Sequence, residues 1–548
     1  MIVVYATAAF VILEAVDIIF PRLNFPDWTV TFVMILLAVG FPIALIYSWI
    51  FEISSKGIKK TGPIEPISEG KVASSMSDKS VYQDNSIIVL PFENISPDPD
   101  QDYFSDGLTE EIITDLSHIR DLLVISRGSA MTFKGTKNKI KEIAKEVNVR
   151  YALEGSVRKE GNNLRITAQL IDAETDTHLW AEKYNGALDN IFKIQEKVSR
   201  SIVRSLQLRL SPEENQVIET PAMGDVYAYE CYLKANQEIY RYTRESLDLA
   251  RQLIQNGLDI VGENELLYEA MGNAHIQYIN FCISSDESHL KKADEWINKL
   301  VRLNPNSSQR YYLDGLLHWK KGDWKEGFKR LQKSLTIDSD NPRPREYLVY
   351  LSAIAGKGEA SRTFLPRLLE IDPLTPLFQA FPGWIDYMEG NLQGALGPIR
   401  KMYTMEPNNP VYGITYAYYL TRIKQFDEAF TIIDKHAKKS PGNYLAQAAL
   451  FRKFALTGRP EEALKTVAGE TLEAMKWDEQ FSWEMAANYA LIDHPQEAMD
   501  WLENAVNRGF VNYPFLNEFD PLLNNIRSEP EFKKLMERVK NEWERFEV

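Results

Sequence analysis

The chain has 548 residues, of which 45% are hydrophobic and 25% charged, and its formal net charge is −15. That length allows several domains, and the negative balance argues against nucleic acid as the main partner, because contact with phosphates needs a cationic face. Cys231 and Cys282 are the only cysteines and lack metal-site spacing, which excludes a disulfide framework.

Residues 1–20 are almost wholly apolar, and residues 29–51 form a second apolar run. At about 1.5 Å per residue the second run can cross a hydrocarbon core of roughly 30 Å. Trp28 and Trp49 fall near its ends, where indoles favour the membrane interface. The first run lacks the basic start and Ala-x-Ala site of a cleaved signal, and it carries Glu14 and Asp17. A two-helix transmembrane hairpin is therefore predicted within residues 1–60, touching the lipid bilayer through residues 1–52. Asp17 can reach the interface near Arg22, Glu14 can sit protonated against Ser48 or the other helix, and Gly40 and Pro42 can kink the second helix. Lys56, Lys59, Lys60 and Lys71 follow the second run, against Arg22 and Asp27 in the loop. Cations on that side place the long C-terminal part in the cytoplasm.

Residues 61–85, rich in Ser, Pro and Gly, read as a flexible linker. A small α/β domain is predicted over 86–212. Ser86 to Phe92 is a strand-type apolar run, and Leu108, Ile112, Ile113, Leu116 and Ile119 recur at helical spacing. Leu122 to Ser126 is a second strand and Ile140 to Val147 a short helix. Arg150 to Lys159 and Leu164 to Ile171 form a hairpin across Gly161-Asn162, Thr177 to Tyr184 adds a strand, and Ile191, Ile194, Val198, Ile202 and Leu206 stripe a closing helix. Asp98, Asp100, Asp102 and Asp106 lack the glycine and closing glutamate of a calcium loop. They read as a turn, with Asp106 or Ser105 as a helix cap and Glu110 and Glu111 in the first turn.

Over residues 224–510 four ladders share a spacing of 34 residues. Pro305, Ser339, Pro373, Pro407 and Pro441 form one. Gly322, Gly356, Gly390 and Gly458 form a second, with Lys424 in the fourth place. Small residues make the third: Ala293, Gly327, Ser361, Ala395, Ala429 and Ala463. Ile297, Leu331, Leu365, Ile399, Ile433 and Val467 make the fourth. Glycine stops a first helix in the left-handed conformation, the small residue lets a second helix pack close, and proline ends that helix. One such pair cannot bury its own apolar face, so the pairs must stack as an all-α solenoid. Residues 511–548 read as a capping segment, with Leu535, Val539 and Trp543 on one helical face.

The repeat resembles the tetratricopeptide repeat (TPR). Leu331 to Pro342 and Phe426 to Pro441 look like that family's second helix and exit turn. Strict phase covers residues 265–475. Tyr227 to Ile260 reads as an earlier hairpin, and Trp483 to Val506 as a later one slipped by one residue, with Ala498 where phase would put Glu497. The middle domain resembles the TolB-like N-terminal domain through Ile88 to Asn94, Phe104 to Glu111, Leu153 to Arg158, Ile171-Asp172-Ala173 and Leu179-Trp180. The combination looks like that of bacterial inner-membrane proteins. Some relatives carry an adenylate cyclase or DNA-binding domain ahead of it, whereas this chain opens on the apolar run, so neither output is expected.

Seven histidines are scattered without a His-x-x-x-His pair, and no phosphate loop or Gly-x-Ser-x-Gly elbow occurs. No catalytic set, metal site or cofactor is therefore predicted. The TPR resemblance implies that first helices line a concave face, where Leu316, Tyr350, Trp384 and Tyr418 stand six residues before each turn position. Trp319 and Tyr387 lie three residues further on. Rigid aromatic side chains along such a face suit an extended peptide or partner helix. The family's carboxylate clamp uses asparagine and lysine there, so recognition of an acidic tail is not implied. The sequence thus points to a membrane-anchored, non-enzymatic scaffold for a protein or peptide partner. The alternative is a signal-transducing regulator related to cyclase- or transcription-factor-linked proteins but lacking those outputs.

Overall fold

A computed structural model describes residues 51–54, 57–60, 82–220, 223–241 and 243–548. The chain forms two units, residues 1–78 and 79–548. In the first, strands β1 (Phe51–Ser54) and β2 (Gly57–Lys60) pair antiparallel, with Phe51 opposite Lys60. These strands fall at and just after the end of the second apolar run, where Phe51, Ile53 and Ile58 are residues that favour extended backbone. The two membrane runs, Glu14, Asp17, Trp28 and Trp49 otherwise lie outside the described residues, as does most of the linker. No helix among the described residues is long and apolar enough to cross a membrane.

The second unit opens with β3 (Gln83–Val89), whose Ile87, Ile88 and Val89 are fully buried. It lies parallel between β5 (Leu123–Val124) and β6 (Val149–Glu160). The two-residue β4 (Glu93–Asn94) also pairs with β6. Gly161-Asn162 turns β6 into β7 (Asn163–Asp172) with Glu160 opposite Asn163, and β8 (Thr177–Ala187) completes the order β5-β3-β6-β7-β8. Helices α1 (Asp102–Ser117), α2 (Arg127–Met131), α3 (Ile140–Val147) and α4 (Ile191–Ser205) accompany the sheet. α1 begins earlier than its expected cap. Asp98 instead accepts from the Asp100 amide in a preceding turn, while Asp102 and Asp106 pair with Lys134 at 3.0 and 2.8 Å. β5 is shorter than expected because Ser126 already caps α2.

After α5 (Pro212–Glu219) the chain is a run of helix pairs: α6 (Val226–Ile239) with α7 (Arg244–Val261), and α8 (Glu265–Asn280) with α9 (Ser288–Leu303). Then come α10 (Ser308–Lys320) with α11 (Trp324–Ile337), α12 (Pro342–Ile354) with α13 (Gly358–Ile371), and α14 (Pro376–Met388) with α15 (Leu392–Met405). α16 (Pro410–Arg422) pairs with α17 (Phe426–Lys439), and α18 (Tyr444–Leu456) precedes the short α19 (Pro460–Ala463) and α20 (Glu470–Met475). α21 (Glu479–Leu491) and α22 (Pro495–Asn507) form the slipped pair, and α23 (Pro530–Arg545) is last.

The repeat register is realised to the residue. Gly322, Gly356, Gly390 and Gly458 have φ of 89°, 69°, 84° and 71°. Ala293, Ser361, Ala395, Ala429 and Ala463 are fully buried. A Cβ on Gly327 would stand 2.7 Å from the Gly315 carbonyl oxygen, so only glycine allows that approach. Lys424 adopts φ 62° at the same turn. A side chain there carries a steric cost that glycine lacks, so Lys424→Gly is expected to stabilise the chain by about 0.5–1 kcal/mol, read as a shift in denaturant midpoint.

The C-terminal segment does more than cover the end of the solenoid: it folds back over the middle repeats. Arg508 donates to the Lys320 carbonyl at 2.9 Å, Asn512 to the Ala353 and Met388 carbonyls at 3.3 and 2.9 Å, and Trp543 to the Gly356 carbonyl at 3.2 Å. These oxygens lie at or just past the ends of α10, α12 and α14, where helices leave carbonyls unpaired and a cation meets the negative end of the dipole. The Phe546 ring packs on Trp324 at 4.6 Å, while Leu535 and Val539 are buried.

Candidate binding pocket in the first-helix layer

Leu316 on α10, Tyr350 on α12, Trp384 on α14 and Tyr418 on α16 hold equivalent places, with Trp319 and Tyr387 one turn further on. The rings form a continuous series. Trp319 lies 6.0 Å from Tyr350, Tyr350 stacks on Trp384 at 6.1 Å, and Trp384 meets Tyr387 at 5.7 Å. The expectation of an open groove is corrected here: Leu316, Trp319, Tyr387 and Tyr418 are buried, and Tyr350 and Trp384 half-buried. The chain's own last hairpin covers them. The Tyr350 hydroxyl donates to Glu479 at 2.7 Å, and Tyr387 packs 6.1 Å from Trp483 and 5.2 Å from Phe515. Hiding such large apolar rings from water is the driving force for that cover.

A small recess of about 10 Å³, room for about one water, lies between α14, α15, α16 and α21. Trp384, Tyr387 and Tyr418 line it together with Tyr419, and Thr415 and Gln480 contribute half-buried side chains. Trp319, Tyr350 and Leu316 do not reach it. The Trp384 indole nitrogen and the Tyr387, Tyr418 and Tyr419 hydroxyls are buried without a hydrogen-bond partner among the described residues. Burial raises all three phenols, Tyr419 to about 12, so they stay protonated.

Behind the pocket lies a buried ion cluster. Glu484 accepts from Arg422 at 2.9 Å and from Arg452 at 2.7 Å, and Asp520 faces Arg422 at 3.4 Å. The Trp483 indole donates to Asp520 at 2.7 Å. The guanidinium carbon of Arg422 lies 4.3 Å from the Trp483 ring centre, and that of Arg452 4.7 Å from Tyr418. Burial works against the Arg422 charge, but Glu484, then Tyr387 and Asp520, lift its pKa above the ordinary value. Sequence reasoning passed over these residues although the register marks them. Arg452 stands one period after Tyr418, and Lys320 and Arg422 interrupt a ladder that is apolar at Ile354, Met388 and Leu456.

Glu479, which is 1% exposed, accepts from the ring series at Tyr350, and the preceding Asp478 faces Lys320 at 3.5 Å. Burial, then the Asp478 charge, raises its pKa to about 7 from 4.5. A carboxyl that holds its proton more tightly when folded contributes stability in full below pH 4.5, and that contribution is lost as pH rises through 7. Glu479→Gln is expected to flatten this fall, which amounts to about 3 kcal/mol across the window, in urea melts at pH 4.5 and 8.

The α/β part is fixed to the repeats. Asp372, at the end of α13, accepts from the Ser126 and Ser129 hydroxyls at 2.5 Å each, and the Ser126 amide donates to the Ile371 carbonyl at 2.9 Å. A Cβ on Gly128 would meet the Asp372 carboxylate at 2.5 Å. Arg343 donates to Tyr240 at 2.7 Å and faces Glu269 at 3.3 Å, while Arg127 pairs with Glu110 at 3.0 Å. Both cysteines are free, and no cluster of His, Cys, Asp or Glu among the described residues is placed to hold a metal.

Residues 83–201, within the α/β part, match a family described as the second domain of HilA/YgeH-like transcriptional regulators, and not one described as TolB-like. A segment of 175 residues is 44% identical to "Putative adenylate cyclase 3" of Rhizobium meliloti (strain 1021), covering 32% of this chain and 30% of that protein. A stretch of 335 residues is 22% identical to "Transcriptional regulator HilA" of Salmonella typhimurium (strain LT2), covering 60% of this chain and 52% of that one. The chain thus spans about half or less of the length of these relatives. Among solved structures, human IFIT1 in a dimer with m7Gppp-AAAA is 14% identical with a TM-score of 0.39, covering 58% of this chain and 77% of that one. That likeness is too loose to carry a functional argument.

Proposed function

We propose that this chain is a non-enzymatic docking scaffold whose stacked helix pairs present the pocket beside Trp384 to a protein or peptide partner. The observation that carries this reading is the set of unpartnered polar groups around that pocket, held by rings and an ion cluster that are themselves fully packed. Preorganised sites of this kind lose little freedom on binding. Thr415, half-buried at the pocket, allows a test that spares the core. Thr415→Trp should fill the opening and remove a co-purifying partner at least tenfold while leaving the melting temperature within a few degrees. Retention of every partner by a folded Thr415→Trp variant would refute the reading.

The scaffold reading extends to the membrane. The apolar runs at 1–20 and 29–51 and the cations after them support an anchor in a bacterial inner membrane, with the remainder in the cytoplasm. Resistance to alkaline carbonate extraction, with the C-terminal end accessible only to protease added from the cytoplasmic side, tests it. A second reading, favoured by the matches to a named cyclase and a named regulator, is that the TolB-like part senses a signal and the repeats pass it to a separate output. A partner affinity that switches with a ligand of the α/β part would separate this reading from a constitutive scaffold.

A further inference from the structure

We infer that residues 507–520 form a clasp that sets the superhelical pitch of the middle repeats, with the turn glycines Gly356 and Gly390 as its seat. Each helix pair of a solenoid touches only its neighbours, and the small rotation from one pair to the next sets the curvature. A segment bound to several turns in succession adds a constraint that the pairs lack by themselves. After α22 the chain runs along the row of turns in the order of the repeats. Arg508 donates to the Lys320 carbonyl at the end of α10, Asn512 bridges the ends of α12 and α14 through the Ala353 and Met388 carbonyls, and Asp520 faces Arg422 at the end of α16. The last helix adds a contact on the same row, where the Trp543 indole donates to the Gly356 carbonyl.

The glycines at these turns have two duties, and the structure separates them. Gly356 and Gly458 share one backbone conformation, with φ of 69° and 71°. A Cβ on Gly458 would meet nothing within 4 Å, whereas one on Gly356 would stand 2.7 Å from the Trp543 indole nitrogen and 2.9 Å from the Asn512 side-chain oxygen. On Gly390 a Cβ would stand 2.7 Å from the Phe519 ring. Lys424, with φ 62°, shows that the turn itself accepts a side chain. Glycine is thus needed at 356 and 390 for the close approach of the clasp, beyond what the turn requires. Asn512 is 1% exposed, and its amide nitrogen is spent on carbonyls of two different helix pairs, which fixes the spacing between those pairs. A clasp of this kind stands whether or not the recess beside Trp384 receives a partner.

The test compares Gly356→Asn and Gly390→Asn with Gly458→Asn in the full chain in detergent, asparagine being among the residues most tolerant of positive φ. Hydrogen exchange reads the clasp. Spin labels at the exposed Leu303 and Met405, the ends of α9 and α15, read the pitch by pulsed dipolar spectroscopy in a Cys231→Ser background, Cys282 being buried. Exchange over residues 509–520 should quicken at least tenfold in the first two variants, and the spread of the label distance should at least double. Gly458→Asn should match the unsubstituted chain in both. Faster exchange with an unchanged distance overturns the inference, because the segment then covers the turns without setting their pitch. Unchanged exchange in Gly356→Asn, or the same changes in Gly458→Asn, also overturns it. Should a variant fail to fold, the labelled chain without a turn substitution decides. Along a urea series its label distance should spread only where protection over residues 509–520 is lost, and spreading while that protection persists overturns the inference.

Discussion

Replacing Glu484 with glutamine is expected to destabilise the chain by about 3–5 kcal/mol, because a buried charge pair broken from one side leaves the other side uncompensated. Glu484 is 2% exposed and its carboxylate serves both Arg422 and Arg452, which are 3% and 0% exposed. With glutamine in its place, Arg422 keeps only Asp520 as a carboxylate partner, and Arg452 keeps neutral acceptors such as the Asn488 side chain but no carboxylate. The damage spreads along named contacts, since Arg422 lies over Trp483 and Arg452 over Tyr418. The denaturant midpoint measures the loss. The exposed pair Arg459–Glu462 provides the contrast: Glu462→Gln should change stability by less than about 1 kcal/mol.

Asp372→Ala is the second large effect, expected at about 3 kcal/mol. The substitution removes an ionised acceptor from two hydroxyls and from the Thr375 amide, and it leaves Ser126 and Ser129 buried without their partner. Because these bonds join α2 to the end of α13, the loss should fall at the joint between the α/β part and the repeats. Hydrogen exchange over residues 126–131 should quicken at least tenfold while exchange in α16 and α18 stays the same. Asp372→Asn, which keeps one acceptor oxygen, should lie between the variant and the wild type.

The repeat was legible because each constraint recurs. A glycine at 322 alone is ambiguous, but the same turn at 356, 390 and 458 admits only a helix pair, and Lys424 is recognised as a turn residue by its place alone. The hairpin at Gly161-Asn162 was equally plain, since alternation on both arms fixes the register. Short elements such as β4 and α2 carry too few residues to show a period.

The site was half legible. Periodicity says which rings share a face, and it placed Trp384, Tyr387 and Tyr418 together, but it does not say what lies across from them. The cover comes from Glu479, Trp483 and Phe515, far along the chain and outside strict phase. The polar half of the site, Arg422, Arg452 and Glu484, is assembled from three helices, α16, α18 and α21, and Arg422 and Arg452 are visible in the register only as charges in apolar or aromatic columns.

The most direct measurement is site-specific photo-cross-linking in living cells, with p-benzoylphenylalanine placed at the exposed Val411, one turn before Thr415 on α16, and, in a second strain, at the exposed Lys183 on β8. A docking scaffold predicts a discrete adduct from position 411 that disappears when Thr415→Trp is added, with none of the same mass from position 183. An adduct from 183 but not from 411, or one from 411 that survives Thr415→Trp, would contradict the account and move the binding surface away from the pocket.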